Sequence, residues 1–178
     1  FANAQTADIP GFEDVRQWLE ANIPDSTTGN LPTALIHGDF RIDNVMMDSN
    51  DPFNVIAVMD WEMAALGDPL MDLANSLAYW VHSDDPPALQ SIKQQPSDAP
   101  GMMRREEILA YYAERTGFDT SKWDFYEVYG YWRLVGILQQ LYYRYVNKLT
   151  QDQRFASYGQ GVTHLGEHCR QLIAKSSL

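Results

Sequence analysis

The chain has 178 residues, 45% of them hydrophobic, which is enough for one domain with a buried core. Thirteen basic residues against 24 acidic ones give a formal charge of -11, which repels phosphate-rich partners and sets aside nucleic acid and anionic membranes. Cys169 is the single cysteine, so an intrachain disulfide and a cysteine-built zinc site are excluded and a reducing, cytoplasmic setting is expected.

No apolar run nears the roughly 20 residues of a bilayer span, and the first residue is Phe1 rather than methionine, which leaves the native N-terminus open. Residues 11–22 place Val15, Trp18 and Leu19 on one helical face. "IPDSTTGNLPT" then breaks the helix and reads as a linker. Ala34 to Ile36 is a short apolar lead-in, Val45 to Met47 a strand, "DSNDPFN" a turn, and "VIAVM" from 55 a β-branched buried strand, together a hairpin. Asp68 is a helix N-cap and Pro69 suits the first helical position. Ser83 to Gly101, with four prolines, reads as a long, mobile loop.

The last third reads as helical. Met102 to Arg115 is closed by Gly117, and Ser121 with Asp124 has the spacing of a capping box. Phe125, Val128, Trp132, Val135, Leu138, Tyr142, Tyr145 and Leu149 recur at three- and four-residue spacing, the mark of a core helix. A final helix spans roughly 153–175, weakened by Gly159, Gly161 and Gly166. The fold class expected is α+β, mainly α.

"HGDFRIDN" concentrates ionisable groups just before an apolar run. With the hairpin turn centred on Pro52, Asn44 falls opposite Asp60, placing two oxygen-bearing side chains at the hairpin's open end. Mg²⁺ takes one or two such protein oxygens and completes its shell with waters and phosphates. Asp39, five residues before Asn44, is then free to act as a base. This is the protein-kinase spacing: a catalytic-loop Asp, an Asn five residues on, and a metal-binding Asp after the next strand.

"HGDFRIDN" followed by "VMDWEMAALGDPLMDLA" resembles the aminoglycoside phosphotransferase and choline/ethanolamine kinase superfamily, small-molecule relatives of protein kinases. "FRIDN" and "DWExAxxGDPxxDL" look closest to the kinase-like domains found alone in bacteria and fused to acyl-CoA dehydrogenases elsewhere. The resemblance implies ATP as phosphoryl donor, Mg²⁺ as cofactor and a small-molecule hydroxyl as acceptor. It implies Asp39 as base, Asn44 and Asp60 as metal ligands, and Asp72 as a brace for the catalytic loop. The acceptors it suggests are a hydroxyacyl-CoA or hydroxy acid, an aminoglycoside, or choline or ethanolamine. No lysine precedes the catalytic loop, so residues 1–178 are expected to form the C-terminal lobe of a protein-kinase-like fold, nearly inactive without a nucleotide-binding lobe.

Around this core the residues have bland readings too. His37 buries its ring under the loop as a scaffold. Arg41 touches either a carboxylate or phosphate, or solvent with Asp43. Glu62 either faces metal or acceptor or supports structure. The aromatics Trp61, Tyr79, Trp80, Tyr131, Trp132, Tyr142 and Tyr143 form either a cage for a quaternary ammonium or, as helical spacing favours, core packing. Two rivals to the kinase reading stand beside it. One is a kinase-like module that binds without catalysis. The other is a zinc hydrolase built on "HLGEH", His164 to His168, which lacks a third ligand downstream and otherwise reads as a surface helix with two exposed histidines. The sequence leaves the oligomeric state open.

Overall fold

The structure, a computed structural model, describes residues 4–24 and 33–178; the expected linker at 25–32 lies outside the described residues. Among the described residues ten α-helices and β-strands follow in order. They are α1 (Glu13–Ala21), β1 (Ala34–Ile36), β2 (Val45–Met47), β3 (Val55–Val58), β4 (Ala65–Gly67), α2 (Pro69–Ala78), α3 (Pro87–Gln90), α4 (Arg105–Thr116), α5 (Trp123–Val146) and α6 (Tyr158–Ile173). The fold is α+β and mainly α, with two separate two-stranded sheets.

The 24-residue α5 is the axis, with α2 and α6 packed along it. Its periodic apolar residues make this possible: Phe125, Val128, Val135 and Leu138 are buried, as are Tyr126, Tyr131 and Leu134 between them. A helix sandwiched between two neighbours buries more than one stripe. The helix stops at Val146, so Leu149 lies beyond it, 64% exposed. Close approach replaces bulk where helices cross. A Cβ on Gly130 would stand 2.4 Å from the Ala74 carbonyl oxygen, and one on Gly166 would stand 2.4 Å from the Phe12 ring. The α6 glycines are therefore contact points rather than weaknesses. That helix begins at Tyr158, after a 3-10 turn from Gln153 to Ser157.

Several local expectations are corrected. The segment from Ser83 to Gly101 is anchored rather than loose: it holds α3, buries Leu89, Gln95 and Ser97, and ties Ser97 Oγ to the Val81 carbonyl at 2.7 Å. Helix α4 starts at Arg105 rather than Met102, with the Arg104 N–H taken by the Glu107 carboxylate at 2.7 Å. Gly117 does close it, at φ 71°. Ser121 and Asp124 form no capping box. Asp119 takes the Ser121 N–H at 2.8 Å, and the Asp124 carboxylate accepts from Ser176 Oγ at 2.9 Å across the fold. The β3 strand is not buried: Val55 and Ile56 are more than half exposed, because no second layer covers the hairpin among the described residues. β4 was not foreseen, and it pairs antiparallel with β1, Ala34 with Gly67 and Ile36 with Ala65.

Candidate functional site

The candidate loop, residues 37–44, joins the two sheets. β1 leads into His37, and the loop after it runs through a 3-10 turn, Ile42–Asn44, into β2. Below it, Asp68 caps α2 by accepting the Leu70 N–H at 2.8 Å, and the Tyr126 hydroxyl donates to its other oxygen at 2.8 Å. That start places Asp72 one turn along the helix. Its carboxylate accepts the N–H groups of His37 and Gly38, each at 2.8 Å. The His37 ring is buried; its Nε2 lies 2.7 Å from the Met59 carbonyl, to which it donates, while Nδ1 accepts the Asp39 N–H at 3.2 Å. Trp61 covers the ring, centroids 4.7 Å apart. Gly38 sits at φ 79°, and a Cβ there would stand 2.5 Å from the Met63 carbonyl oxygen. Only glycine suits both its backbone and its space.

Asp39 is half-buried, and among the described residues its carboxylate has no hydrogen-bond partner. Asn44 locks the loop by donating from Nδ2 to the Asp39 carbonyl at 2.9 Å. The hairpin register differs by one residue from expectation. Val45 pairs with Val58 and Met46 with Ala57, but Met47 pairs with Val55, leaving Ile56 as a bulge. The Asn44 carbonyl therefore accepts the Met59 N–H, at 2.8 Å, and Asp60 follows one position later. Asp60 turns out of the strand in the left-handed region, φ 65°, so strand alternation no longer dictates where its exposed carboxylate faces. Glu62 is exposed on the next 3-10 turn. Arg41 is ion-paired with Asp43, the main cause of its raised pKa, and its guanidinium lies 5.0 Å from the centre of the Tyr79 ring.

Two contributors escaped the sequence reading, and a third, Tyr79, reads there only as a cage or core aromatic. Arg133, midway along α5, donates to the Gly38 carbonyl at 2.6 Å. Gln95, buried in the Ser83–Gly101 segment, accepts the Ile42 N–H at 2.9 Å. Tyr79 has its phenol pKa raised, first by burial and then by the charge of Asp39, with Arg41 and Arg133 acting against that rise. None carries a motif. Arg133 and Gln95 lie 95 and 53 residues from their loop partners, and only folding brings them there.

Two cavities bear on the loop, one through Tyr79 and Gln94, which Arg41 contacts, and one lined by loop residues themselves. One, about 330 Å³, is lined by residues including Tyr79, Lys93, Gln94, Gln160 and His164, and no described lining residue is Asp or Glu. The other, about 770 Å³, lies against Ile36, Phe40 and Ile42 and is mostly apolar.

The donor set suits a hard cation. With Asn44 Nδ2 spent on the loop, its Oδ1 is the remaining end of the amide, and Asp60 adds a carboxylate at the neighbouring strand end. Two protein oxygens are what Mg²⁺ requires when substrate phosphates supply the rest. The zinc alternative fails. Among the described residues no three His, Cys, Asp or Glu side chains gather to hold a metal, and Glu167 is paired with Arg170 at 2.6 Å. His168 is not exposed as expected. It is half-buried, its ring edge-on to Tyr131 at 4.6 Å, and burial lowers its pKa.

Residues 2–109 match the phosphotransferase enzyme family. Over 166 residues the chain is 36% identical to acyl-CoA dehydrogenase family member 11 of Pongo abelii, covering 89% of this chain and 20% of that protein. It is 36% identical over 143 residues to acyl-CoA dehydrogenase family member 10 of Mus musculus, covering 79% and 13%. A crystal structure of a candidate aminoglycoside phosphotransferase from Ralstonia eutropha superposes with a TM-score of 0.79 at 27% identity, over 99% of this chain and 53% of that one. The chain thus spans about a fifth of the length of the first of these relatives and about half of the solved structure. No helix among the described residues is long and apolar enough to cross a membrane.

Proposed function

Because the chain belongs to the phosphotransferase enzyme family, we propose that it is the C-terminal lobe of a kinase that moves the γ-phosphoryl group of ATP to a hydroxyl of a small molecule. The observation that carries this reading is the clamped catalytic loop. Asp72, Asn44, His37 and Arg133 each hold its backbone, while among the described residues no hydrogen bond engages the Asp39 carboxylate. Phosphoryl transfer depends on positioning and charge stabilisation more than on covalent chemistry. A rigid loop that presents one carboxylate fits that demand. Asp39 would orient the acceptor hydroxyl and take its proton. Asn44 and Asp60 would hold Mg²⁺, which when bound neutralises charge on the phosphates. A module kept for binding alone would not need this arrangement, and a nucleotide-binding lobe outside the chain would complete it.

The 330 Å³ cavity is tied to the loop through Tyr79, which feels the Asp39 charge, and Gln94, which Arg41 contacts, and so supports a choice among acceptors. An aminoglycoside is a polycation and needs carboxylates; the described lining has none, and its Lys93 is already paired with Asp98. Arg41, itself paired with Asp43, acts on Asp39 through space, and Arg133 reaches the neighbouring Gly38 carbonyl. Choline would need an aromatic cage, and Trp80, Tyr131, Trp132 and Tyr142 instead pack on the core. A neutral or anionic hydroxy compound, a hydroxy acid or hydroxyacyl thioester, fits better. The lone cysteine, buried and with its thiol pushed up to about 12 by burial, accords with a reducing, cytoplasmic setting and no catalytic role.

The test is ATP consumption by the full-length enzyme against hydroxyacyl-CoA, free hydroxy acid, kanamycin and choline, with Asp39→Asn as control. Turnover is expected with the first two and is lost in the variant. Equal turnover in Asp39→Asn, or turnover with the cations alone, overturns the reading.

A further inference from the structure

A third cavity, about 240 Å³, lies between α2, α4 and α5. At about 100° per helical residue, its lining residues Ala74, Leu77 and Ala78 stand about 140–240° round α2 from Asp72. The cavity therefore opens on the side of that helix turned away from the catalytic loop. Trp123, Glu127 and Tyr131, spaced four apart on α5, form another wall as one stripe of indole, carboxylate and phenol. Its size suits a compact ligand, since at about 30 Å³ for each water-sized group it holds roughly eight.

The charges in its walls differ in whether they are balanced. Arg105 donates to Asp85 and to the Trp80 carbonyl, each at 2.7 Å, and Glu106 is paired with Arg104 at 2.8 Å. Glu127 is half-buried, and among the described residues no hydrogen bond or ion pair engages its carboxylate. Burial raises its pKa, Asp124 and Glu106 add to the rise, and Arg105 and Lys175 oppose it. Tyr131 is 2% exposed, and its hydroxyl, which no described residue bonds, is open to the cavity. A buried phenol ordinarily has a partner. An unpaired carboxylate and an unpaired phenol one helical turn apart match a primary ammonium, which has protons for both. We propose that this cavity is a second ligand site, for a small primary amine whose ammonium is held between Glu127 and Tyr131 and whose short apolar body lies against Leu77, Leu109 and Trp123. An acid is refused, because Glu127 repels it and Arg105 is already spent on Asp85. A neutral alcohol leaves the carboxylate without a counter-charge. The overall charge of -11 favours the approach of such a cation.

The probes are isoamylamine and isoamyl alcohol, alike in size and differing in charge at neutral pH. Titrated into the intact full chain, the amine should bind at least about tenfold more tightly than the alcohol, the value of one charge-assisted hydrogen bond. It should also shift the indole N–H resonance of Trp123, assigned with Trp123→Phe. Glu127→Gln, which keeps the size of the side chain and removes an unpaired charge from the fold, should bring the two probes to within about twofold. Tyr131→Phe should weaken the amine by about fivefold or more. The proposal is overturned if the amine does not saturate, if the alcohol binds as tightly, or if the preference survives Glu127→Gln. It is equally overturned if Tyr131→Phe binds the amine with unchanged affinity, or if the Trp123 resonance stays in place as the amine binds.

Discussion

The carboxylate of Asp72 accepts the backbone N–H groups of His37 and Gly38 at 2.8 Å each, one oxygen per donor. A helix thereby holds, through one side chain, the two residues that precede Asp39. Both oxygens must be acceptors for this to work, which only the ionised carboxylate provides. Asp72→Asn would turn an NH₂ group toward one of those N–H donors. Loss of one charge-assisted bond and introduction of a donor–donor contact should destabilise the fold by about 2–4 kcal/mol. Urea denaturation of the variant measures this, and a change below about 0.5 kcal/mol would show that the brace is dispensable.

Gly38 and Gly117 share a left-handed backbone, φ 79° and 71°, but not the same surroundings. A Cβ at Gly117 meets nothing within 4 Å, whereas one at Gly38 collides with the Met63 carbonyl. Gly117→Ala should therefore cost only the conformational term, about 1–2 kcal/mol. Gly38→Ala should cost at least about 3 kcal/mol, because backbone must also move. The two variants compared by thermal unfolding check the ordering; equal losses would mean that the loop shifts freely.

Arg133 touches the loop from α5 without lining either cavity. In the kinase proposed, Arg133→Met keeps the packing stem and removes the bond to the Gly38 carbonyl. The loop would then be held less firmly around Asp39. We expect kcat to fall by about tenfold or more, since small misplacements are costly in positioned catalysis, while KM for ATP stays near wild type. An unchanged kcat would reduce Arg133 to a packing residue.

Away from the site, two acidic residues on the Arg105 side of the fold should respond to pH with opposite sign. Burial works against the Asp85 charge, but Arg105, bonded at 2.5 Å, and the His82 N–H, at 2.7 Å, together leave its pKa lowered. Its contribution is present above the unfolded aspartate pKa and is lost as pH falls through the folded value. Asp85→Asn should cost about 2–3 kcal/mol at pH 7, because it leaves the Arg105 charge half-buried and unpaired. Burial raises the pKa of Glu127, so its contribution is present below the unfolded glutamate pKa and is lost as pH rises through the folded one. Glu127→Gln should accordingly raise Tm at pH 7, with the gain closing toward pH 4. A Tm difference independent of pH would refute the assignment.

The sequence by itself determined what depends on neighbours along the chain. Asp68 and Pro69 start α2 because a cap needs only the next two residues; Gly117 ends α4 because a left-handed turn suits glycine; and the hydrophobic spacing of residues 125–138 marks a core helix. The candidate loop, Asp39 to Asn44, was legible for the same reason, as a short string with kinase spacing. Only the tertiary structure decided which distant groups meet. The turn is centred one residue before Pro52, since Met47 pairs with Val55, and the bulge at Ile56 restores only one position, so Asn44 falls opposite Met59 and Asp60 is left to a left-handed turn. Arg133 and Gln95 reach the loop because α5 and the Ser83–Gly101 segment pack there, and a lone arginine or glutamine carries no sign of its partner. Burial and long-range hydrogen bonds are properties of the packed whole, and they convert a readable motif into a held carboxylate.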